Sequence, residues 1–317
     1  MQPSDFSDLT HFTIGSLLGK GTHEVFEARH TTTQRDLALK KIINDSIDSH
    51  FSTLTEIDSL FKCRHPNIVR IFGYNEQIIK NPVENKILHV TNVFMEKLDE
   101  KFSTVIANRK KENQFFSKEE LNQIFNQVLS AFWYLELKEK PHGDFRPENL
   151  MIKHEKLKQK DKKVLDLEKQ PKTIPVYKVV DVVGSQKLYK LSQTSKSDKI
   201  ELDLHFASPE VLRSILIQKP DCFLDYHKSD VFSVGLVFLA AALLEDLSLE
   251  KINQGTNASR KKIEKKLGQV EKIYGVEISG LIGKMLENEA GQRPNFDKLA
   301  EERKLVFKNS YEKEEEE

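Results

Sequence analysis

Cysteine is nearly absent: Cys63 and Cys222 are the two thiols in 317 residues. That number excludes a disulfide framework and a four-cysteine zinc site, and both are read as reduced thiols. No charge of one sign dominates either, because 49 Lys and Arg face 49 Asp and Glu for a formal net charge of zero. Such a balance creates no global field to draw in nucleic acid or a membrane surface, so neither is expected as a partner. Long apolar runs are missing as well. The longest stretch runs from Val231 to Leu244. At about 1.5 Å per residue it falls short of a hydrocarbon core of about 30 Å, and it reads as a helix buried on most sides. The first residues, Met1 to Thr10, lack the basic start and apolar run of a secretion signal. The expectation is a chain without a membrane span, located in the cytoplasm or nucleus.

What is present suffices for a sizeable core. Hydrophobic residues make up 38% and aromatics 9%, spread along the chain, which fits one large domain or two lobes of one unit. The first hundred residues read mainly as strands: Phe12 to Leu18, Val25 to His30, Asp36 to Ile43, Ile68 to Tyr74 and Ile87 to Met95. Among them, Phe51, Leu54, Ile57, Leu60 and Phe61 recur at three-and-four spacing, which predicts an amphipathic helix between Asp48 and Arg64, closed by Pro66. After about Leu98 helical patterning takes over. Ser117 and Glu120 fit a capping box ahead of a stripe formed by Leu121, Ile124, Phe125, Val128, Leu129 and Phe132. Further helices are expected at 209–217, 230–246, 259–273 and 277–287. A β-rich front joined to a helical back is an α+β pattern. Lys153 to Lys172 reads as a solvated Lys-rich insertion, with docking of an acidic partner as the sharper alternative, and Glu312 to Glu317 as an acidic tail.

Several residues could carry chemistry. Leu18-Gly19-Lys20-Gly21 lies between two strands, where glycines let backbone N–H groups approach an anion; taken alone, an ordinary hairpin turn is the plainer explanation. Lys40 sits on a strand and either faces solvent or meets phosphate oxygens, held by the helical carboxylate Glu56. The loop His142-Gly143-Asp144-Phe145-Arg146-Pro147-Glu148-Asn149 offers Asp144 as a proton acceptor. It also offers Arg146 as a charge for a transferring phosphoryl group and Asn149 as a metal ligand. Asp181, at the end of a predicted strand, is a second candidate ligand for Mg²⁺.

These pieces, in this order, resemble the eukaryotic protein kinase domain from about Phe12 to Leu299. Arg64-His65-Pro66-Asn67, Phe206-Ala207-Ser208-Pro209-Glu210, Asp230-Val231-Phe232-Ser233-Val234-Gly235 and Gln292-Arg293-Pro294 are similar to further segments of that family. The resemblance implies a two-lobed fold: tail 1–11, N-lobe 12–97, C-lobe 98–304 carrying the 153–172 insertion, and tail 305–317. It implies ATP and Mg²⁺ as cofactors, a protein substrate, and convergence of Lys40, Glu56, Asp144, Asn149 and Asp181 on one cleft. Leu18, Gly19 and Gly21 would line the phosphate loop, and Val25, Ala38 and Met151 would sandwich adenine. Met95 would be the gatekeeper, and Glu96 to Leu98 the hinge reading the adenine edge. Leu60, Ile71, His142 and Val182 would form an apolar spine, and Arg293 would pair with Glu210. The resemblance does not reach an oligomeric state.

The chain also departs from the family pattern. A third loop glycine is missing and Glu24 stands nearby, expected to turn to solvent. Asp181 is followed by Val182-Val183 where Phe-Gly is usual. Gly143 replaces the arginine that receives a loop phosphate, Arg146 replaces a lysine, Asp203 a threonine and Ser208 an alanine. Three readings follow: an active kinase acting on protein Ser/Thr hydroxyls, a pseudokinase that binds nucleotide as a scaffold, and a small-molecule phosphotransferase. The segment ending in Pro209-Glu210 and the partner Arg293 weigh against the last.

Overall fold

Alternating side chains shape the first part of the chain. In a computed structural model describing residues 6–21, 23–80, 86–156, 173–182, 204–217, 224–248 and 250–305, the chain divides into two units after Asp99. The first unit holds strands β1 (Phe12–Lys20), β2 (Glu24–His30) and β3 (Asp36–Asn44), helix α1 (Ile47–Phe61), and strands β4 (Ile71–Lys80) and β5 (Ile87–Glu96). The strands form one antiparallel sheet in the order β1-β2-β3-β5-β4. Phe12, Ala28, Leu37, Leu39 and Phe94 gather in one apolar cluster of this sheet.

Phe6 completes that cluster. Its ring is wholly buried, 5.7 Å from Phe12 and 5.4 Å from Phe94. The segment expected as an N-terminal tail therefore packs on the sheet from residue 6 onward. A single aromatic among polar residues left no periodic pattern to find. The fit is tight, because a Cβ on Gly73 would lie 2.5 Å from the Phe6 ring. Gly73→Ala is expected to cost about 1–3 kcal/mol through overpacking, seen as a lowered urea midpoint with an unchanged slope.

Ser46 caps α1, its hydroxyl accepting from Ser49 N–H at 3.2 Å, a contribution of about 1 kcal/mol. The predicted stripe is only partly buried. Ile57 and Leu60 are buried, but Phe51 is 60% exposed and His50 takes the inward position. A contact explains the difference: His50 Nε2 meets Glu76 Oε2 at 2.8 Å and its ring stacks on His89 at 4.8 Å. The helix ends at Phe61, ahead of Pro66, and Arg64 turns back to the carbonyls of Phe61 and Cys63. β4 runs later than expected because Asn75, Glu76 and Gln77 masked its second half with polar residues.

The second unit begins with β6 (Glu100–Lys101), α2 (Phe102–Glu112) and α3 (Lys118–Leu137). The capping box at Ser117 and Glu120 is formed, with N–H bonds of 3.1 and 2.7 Å, and the six-residue apolar stripe behind it is buried. Strands β7 (Leu150–Lys156) and β8 (Thr173–Val179) complete a small sheet in the order β6-β7-β8. Lys153–Lys156 is thus the end of a strand rather than insertion, and 157–172 lie outside the described residues, as does the acidic tail. Next come α4 (Pro209–Ile217), α5 (Tyr226–Leu243), α6 (Asn257–Tyr274), α7 (Val276–Met285) and α8 (Phe296–Glu302).

α5 is the centre of this unit. Every residue from Ser229 to Leu243 is buried, as expected for a helix apolar on all sides. Phe238 stacks on Phe125 of α3 at 3.8 Å. The helix starts four residues before the predicted 230, because Asp225 supplies a cap and the polar Tyr226-His227-Lys228 forms the first turn. No helix among the described residues is long and apolar enough to cross a membrane. Cys63 is a buried thiol whose Sγ donates to the Ser59 carbonyl at 3.6 Å; Cys222 lies outside the described residues.

Candidate active site

In the first unit, sheet register decides which predicted residues share a face. Val25 lies opposite Lys40 and Lys40 opposite Val93; Ala38 lies opposite Met95. Laterally paired residues point the same way and alternate along each strand. Val25, Ala38, Lys40 and Met95 therefore stand on one face, and Leu37, Leu39 and Phe94 on the other. Lys40 is only 8% exposed. An ammonium is rarely kept that dry for decoration, since burying it costs several kcal/mol without compensating contacts, by about the amounts known for buried ions. Glu56 sits half-buried on α1, next to the buried Ile57.

Gly19 opposes Val25, and the hairpin closes at the Lys20–Glu24 pair. Gly21 N–H donates to the His23 carbonyl at 3.3 Å. The Glu24 carboxylate lies 3.3 Å from Lys20 Nζ, so a neighbouring cation offsets its charge. Leu18 is 42% exposed on β1. Glu96 is buried: its N–H donates to the Arg70 carbonyl at 2.9 Å and its side chain accepts from Arg70 N–H at 2.8 Å. Leu98 follows, half-buried.

In the second unit the loop from His142 to Asn149 is pinned from below. His142 and Gly143 donate their N–H groups to the two oxygens of Asp230, at 2.6 and 2.9 Å. The His142 ring is fully buried, stacked 5.9 Å from Phe132, and its Nε2 lies 2.9 Å from the Val180 carbonyl. Gly143 adopts φ 75°, a left-handed conformation that costs a side-chain-bearing residue about 1–2 kcal/mol. Glycine in place of arginine thus relaxes the loop as it removes a cation.

Asp144 is exposed, with its N–H donated to His142 Nδ1 at 3.2 Å. Asn149 Nδ2 donates to the Asp144 carbonyl at 2.7 Å, which leaves the amide oxygen as the end presented elsewhere. The Asn149 carbonyl accepts from Val180 N–H at 3.0 Å, so Asp181 is tied beside it. Asp181 stands at φ 61°, a left-handed position that Asp tolerates better than most residues and that recurs at functional sites. Arg146 Nε lies 3.4 Å from Glu148. Met151, half-buried on β7, lies opposite Lys178 and Lys101.

Among the described residues no three His, Cys, Asp or Glu cluster into a closed metal cage. Two oxygen donors, Asn149 Oδ1 and the Asp181 carboxylate, suit Mg²⁺ instead, which keeps waters and phosphate oxygens as its other ligands. Val183 and Asp203 lie outside the described residues.

Sequence reasoning missed Asp230 as the pin. The available signal was a lone carboxylate at the head of an otherwise apolar helix. Burial pushes its carboxyl up to about 7, against the N–H bonds from Gly143 and His142, which lower it. The folded value is above the unfolded one of about 3.9. The native state therefore holds the extra proton, and this group's contribution to stability is lost as pH rises from about 4 to about 7. The stability of the wild type minus that of Asp230→Asn should decline across that window in urea unfolding. A flat difference would show that burial does not govern this carboxyl.

The first unit thus carries a buried lysine on one face of its antiparallel sheet, and the second a pinned acidic loop above a buried central helix. The chain matches the protein kinase domain over residues 12–303 and belongs to that family. It is 25% identical over 304 residues to CBL-interacting serine/threonine-protein kinase 12 of Arabidopsis thaliana, covering 92% of this chain and 52% of the relative. It is 24% identical over 311 residues to a probable cell division protein kinase of Encephalitozoon cuniculi, covering 96% of this chain and 99% of the relative. Over 141 residues it is 28% identical to mouse (Mus musculus) calcium/calmodulin-dependent protein kinase type IV, covering 44% of this chain and 27% of the relative. The chain thus spans about half the length of the Arabidopsis kinase it matches.

Proposed function

We propose that this chain is an active ATP- and Mg²⁺-dependent kinase that phosphorylates Ser and Thr hydroxyls of proteins. The observation that carries the reading is the loop in which Asp144 and Asn149 are bonded together with Asp181 tied alongside. When bound, Mg·ATP supplies the electrophilic phosphorus and much of the charge neutralisation. The chain does the rest by positioning. Asp144 orients the attacking hydroxyl and takes its proton on the carboxylate. Arg146 offsets charge on the transferred group. Lys40, held by Glu56, binds phosphate oxygens, while Asn149 and Asp181 hold the cation. Val25, Ala38, Met95 and Met151 enclose the base, whose edge is read by the backbone from Glu96 to Leu98; Leu18, Gly19 and Gly21 cover the phosphates. The relatives' names support the Ser/Thr assignment, and the balanced charge fits the proposed cytoplasmic or nuclear location.

A pseudokinase is the competing reading, favoured by the missing third loop glycine and by Val182-Val183 after Asp181. Incubation with γ-labelled ATP, Mg²⁺ and generic protein substrates separates the two. Label should pass to Ser and Thr in the wild type and fall to background in Lys40→Met, with Mg·ATP raising the melting temperature of the wild type. Stabilisation by Mg·ATP without transfer would overturn the active reading and leave the scaffold.

A further inference from the structure

The side chains of Glu27 and Lys97 are given no role above, where Lys97 enters only through its backbone in the 96–98 stretch, yet Lys97 Nζ lies 2.6 Å from Glu27 Oε1. Ser16 Oγ on β1 donates to the other oxygen, Glu27 Oε2, at 3.1 Å. One carboxylate thus ties two separate stretches of chain. Glu27 lies opposite Ala38, which lies opposite Met95, so Glu27 shares the face of Val25 and Lys40. Lys97 directly follows β5. To reach β2 it passes over β3, a span of about two strand spacings, or roughly 9.6 Å. β1 is close as well: a Cβ on Gly15 would lie 3.1 Å from Glu27 Cβ. The Lys97 ammonium, and after it the Ser16 hydroxyl, hold the Glu27 carboxyl below the usual carboxylate range.

The hairpin needs such a tie. On β1, Leu17 and Leu18 are 49% and 42% exposed, and its register with β2 is interrupted between Ile14 and Leu17 and again between Leu17 and Gly19. Packing alone holds this hairpin weakly, so a charged cross-link to the segment after β5 has leverage over it.

We propose that Ser16, Glu27 and Lys97 form a latch on the nucleotide-binding face. It fastens the glycine-bearing β1–β2 hairpin to the segment after β5 and sets how fast nucleotide leaves. The proposal rests on the nucleotide reading above. Release of a nucleotide covered by Gly19 and Gly21 requires the hairpin to lift, and lifting stretches the Glu27–Lys97 pair. The latch is a positioning device, with no contact to the reacting atoms. Because the pair is about one-third exposed on each side, salt screens it.

The test is stopped-flow displacement of a ribose-labelled fluorescent ADP by excess Mg·ADP. Glu27→Gln and Lys97→Met should each speed dissociation roughly two- to five-fold, the range expected for an exposed pair. The double variant should be no faster than either single one, and the reversed pair Glu27→Lys with Lys97→Glu should restore slow release. Added salt should accelerate release from the wild type and leave the variants nearly unchanged. Equal rates in all proteins, or additive single effects, would overturn the latch. Hydrogen exchange without nucleotide gives a second readout: protection of the β1 amides should fall in both single variants. Unchanged protection overturns the fastening. A wild type that binds no labelled ADP, with hairpin protection still lost in the variants, rejects the nucleotide reading and the exchange role while the fastening stands.

Discussion

Asp144→Asn is expected to lower phosphoryl transfer by about 10²–10⁴, the range that a positioned general base contributes, and to leave Mg·ATP binding unchanged. The substitution is nearly isosteric and the side chain is exposed, so the change in packing is small. Two of the bonds that hold the residue are backbone bonds, its N–H to His142 Nδ1 and its carbonyl from Asn149 Nδ2; the carboxylate adds a longer contact at 3.5 Å, Oδ2 accepting from the same Asn149 Nδ2, which an amide oxygen can also accept. The backbone bonds survive the change. What is lost is the carboxylate proposed to take the hydroxyl proton. Turnover should therefore fall with little change in the KM for ATP, which marks an interaction made in the transition state. Asn149→Ala should behave differently, because it removes the donor that holds the Asp144 carbonyl together with a cation ligand. Its loss of turnover should come with a raised Mg²⁺ requirement. Equal activity of wild type and Asp144→Asn would mean that any transfer seen arises elsewhere.

Much of this site could be read from the chain because family-like spacing and physical need coincide there. A lysine inside an apolar strand, an Asp and an Asn five residues apart in a Pro-containing loop, and a carboxylate after two valines all violate local pattern rules. Such violations mark sites. The strands around Lys40 were legible from alternation, and α3 from its capping box and stripe. Local pattern did not reveal the contacts that hold these pieces, because they join residues far apart; the Arg293–Glu210 pair, 83 residues apart, was anticipated through the family resemblance alone. Asp230 meets His142 and Gly143 from 88 and 87 residues away. Glu27 meets Lys97 across 70. Phe6 gave no periodic signal at all, and Phe51 followed the helical period yet stayed exposed, because the inward position went to His50, which meets Glu76 and stacks on His89.

The second large expected effect is on stability. Arg293 is 2% exposed, and its three guanidinium nitrogens all donate. Nη1 and Nη2 reach the two oxygens of Glu210 at 2.7 and 2.8 Å. Nε reaches the Glu287 carbonyl at 2.7 Å, and the Lys228 and Asn288 carbonyls each accept at 2.9 Å. The guanidinium also sits 4.9 Å over the Phe232 ring of α5. One side chain therefore binds the start of α4 to the head of α5 and to the loop before α8. Removing it leaves the Glu210 carboxylate without its partner and three carbonyls short of a donor. Arg293→Ala should cost about 3–5 kcal/mol, as for a buried pair broken on one side. At about 2–4 °C per kcal/mol that lowers the melting temperature by roughly 10 °C. Arg293→Lys keeps the charge but has three donors and no planar fork, so it should recover only part of the loss. Glu210→Gln tests the other end: the shape remains while the guanidinium loses its counter-charge. Calorimetry on the three variants should rank them with Arg293→Ala least stable. A lysine variant as stable as wild type would mean that charge alone, rather than the five-bond geometry, holds this corner.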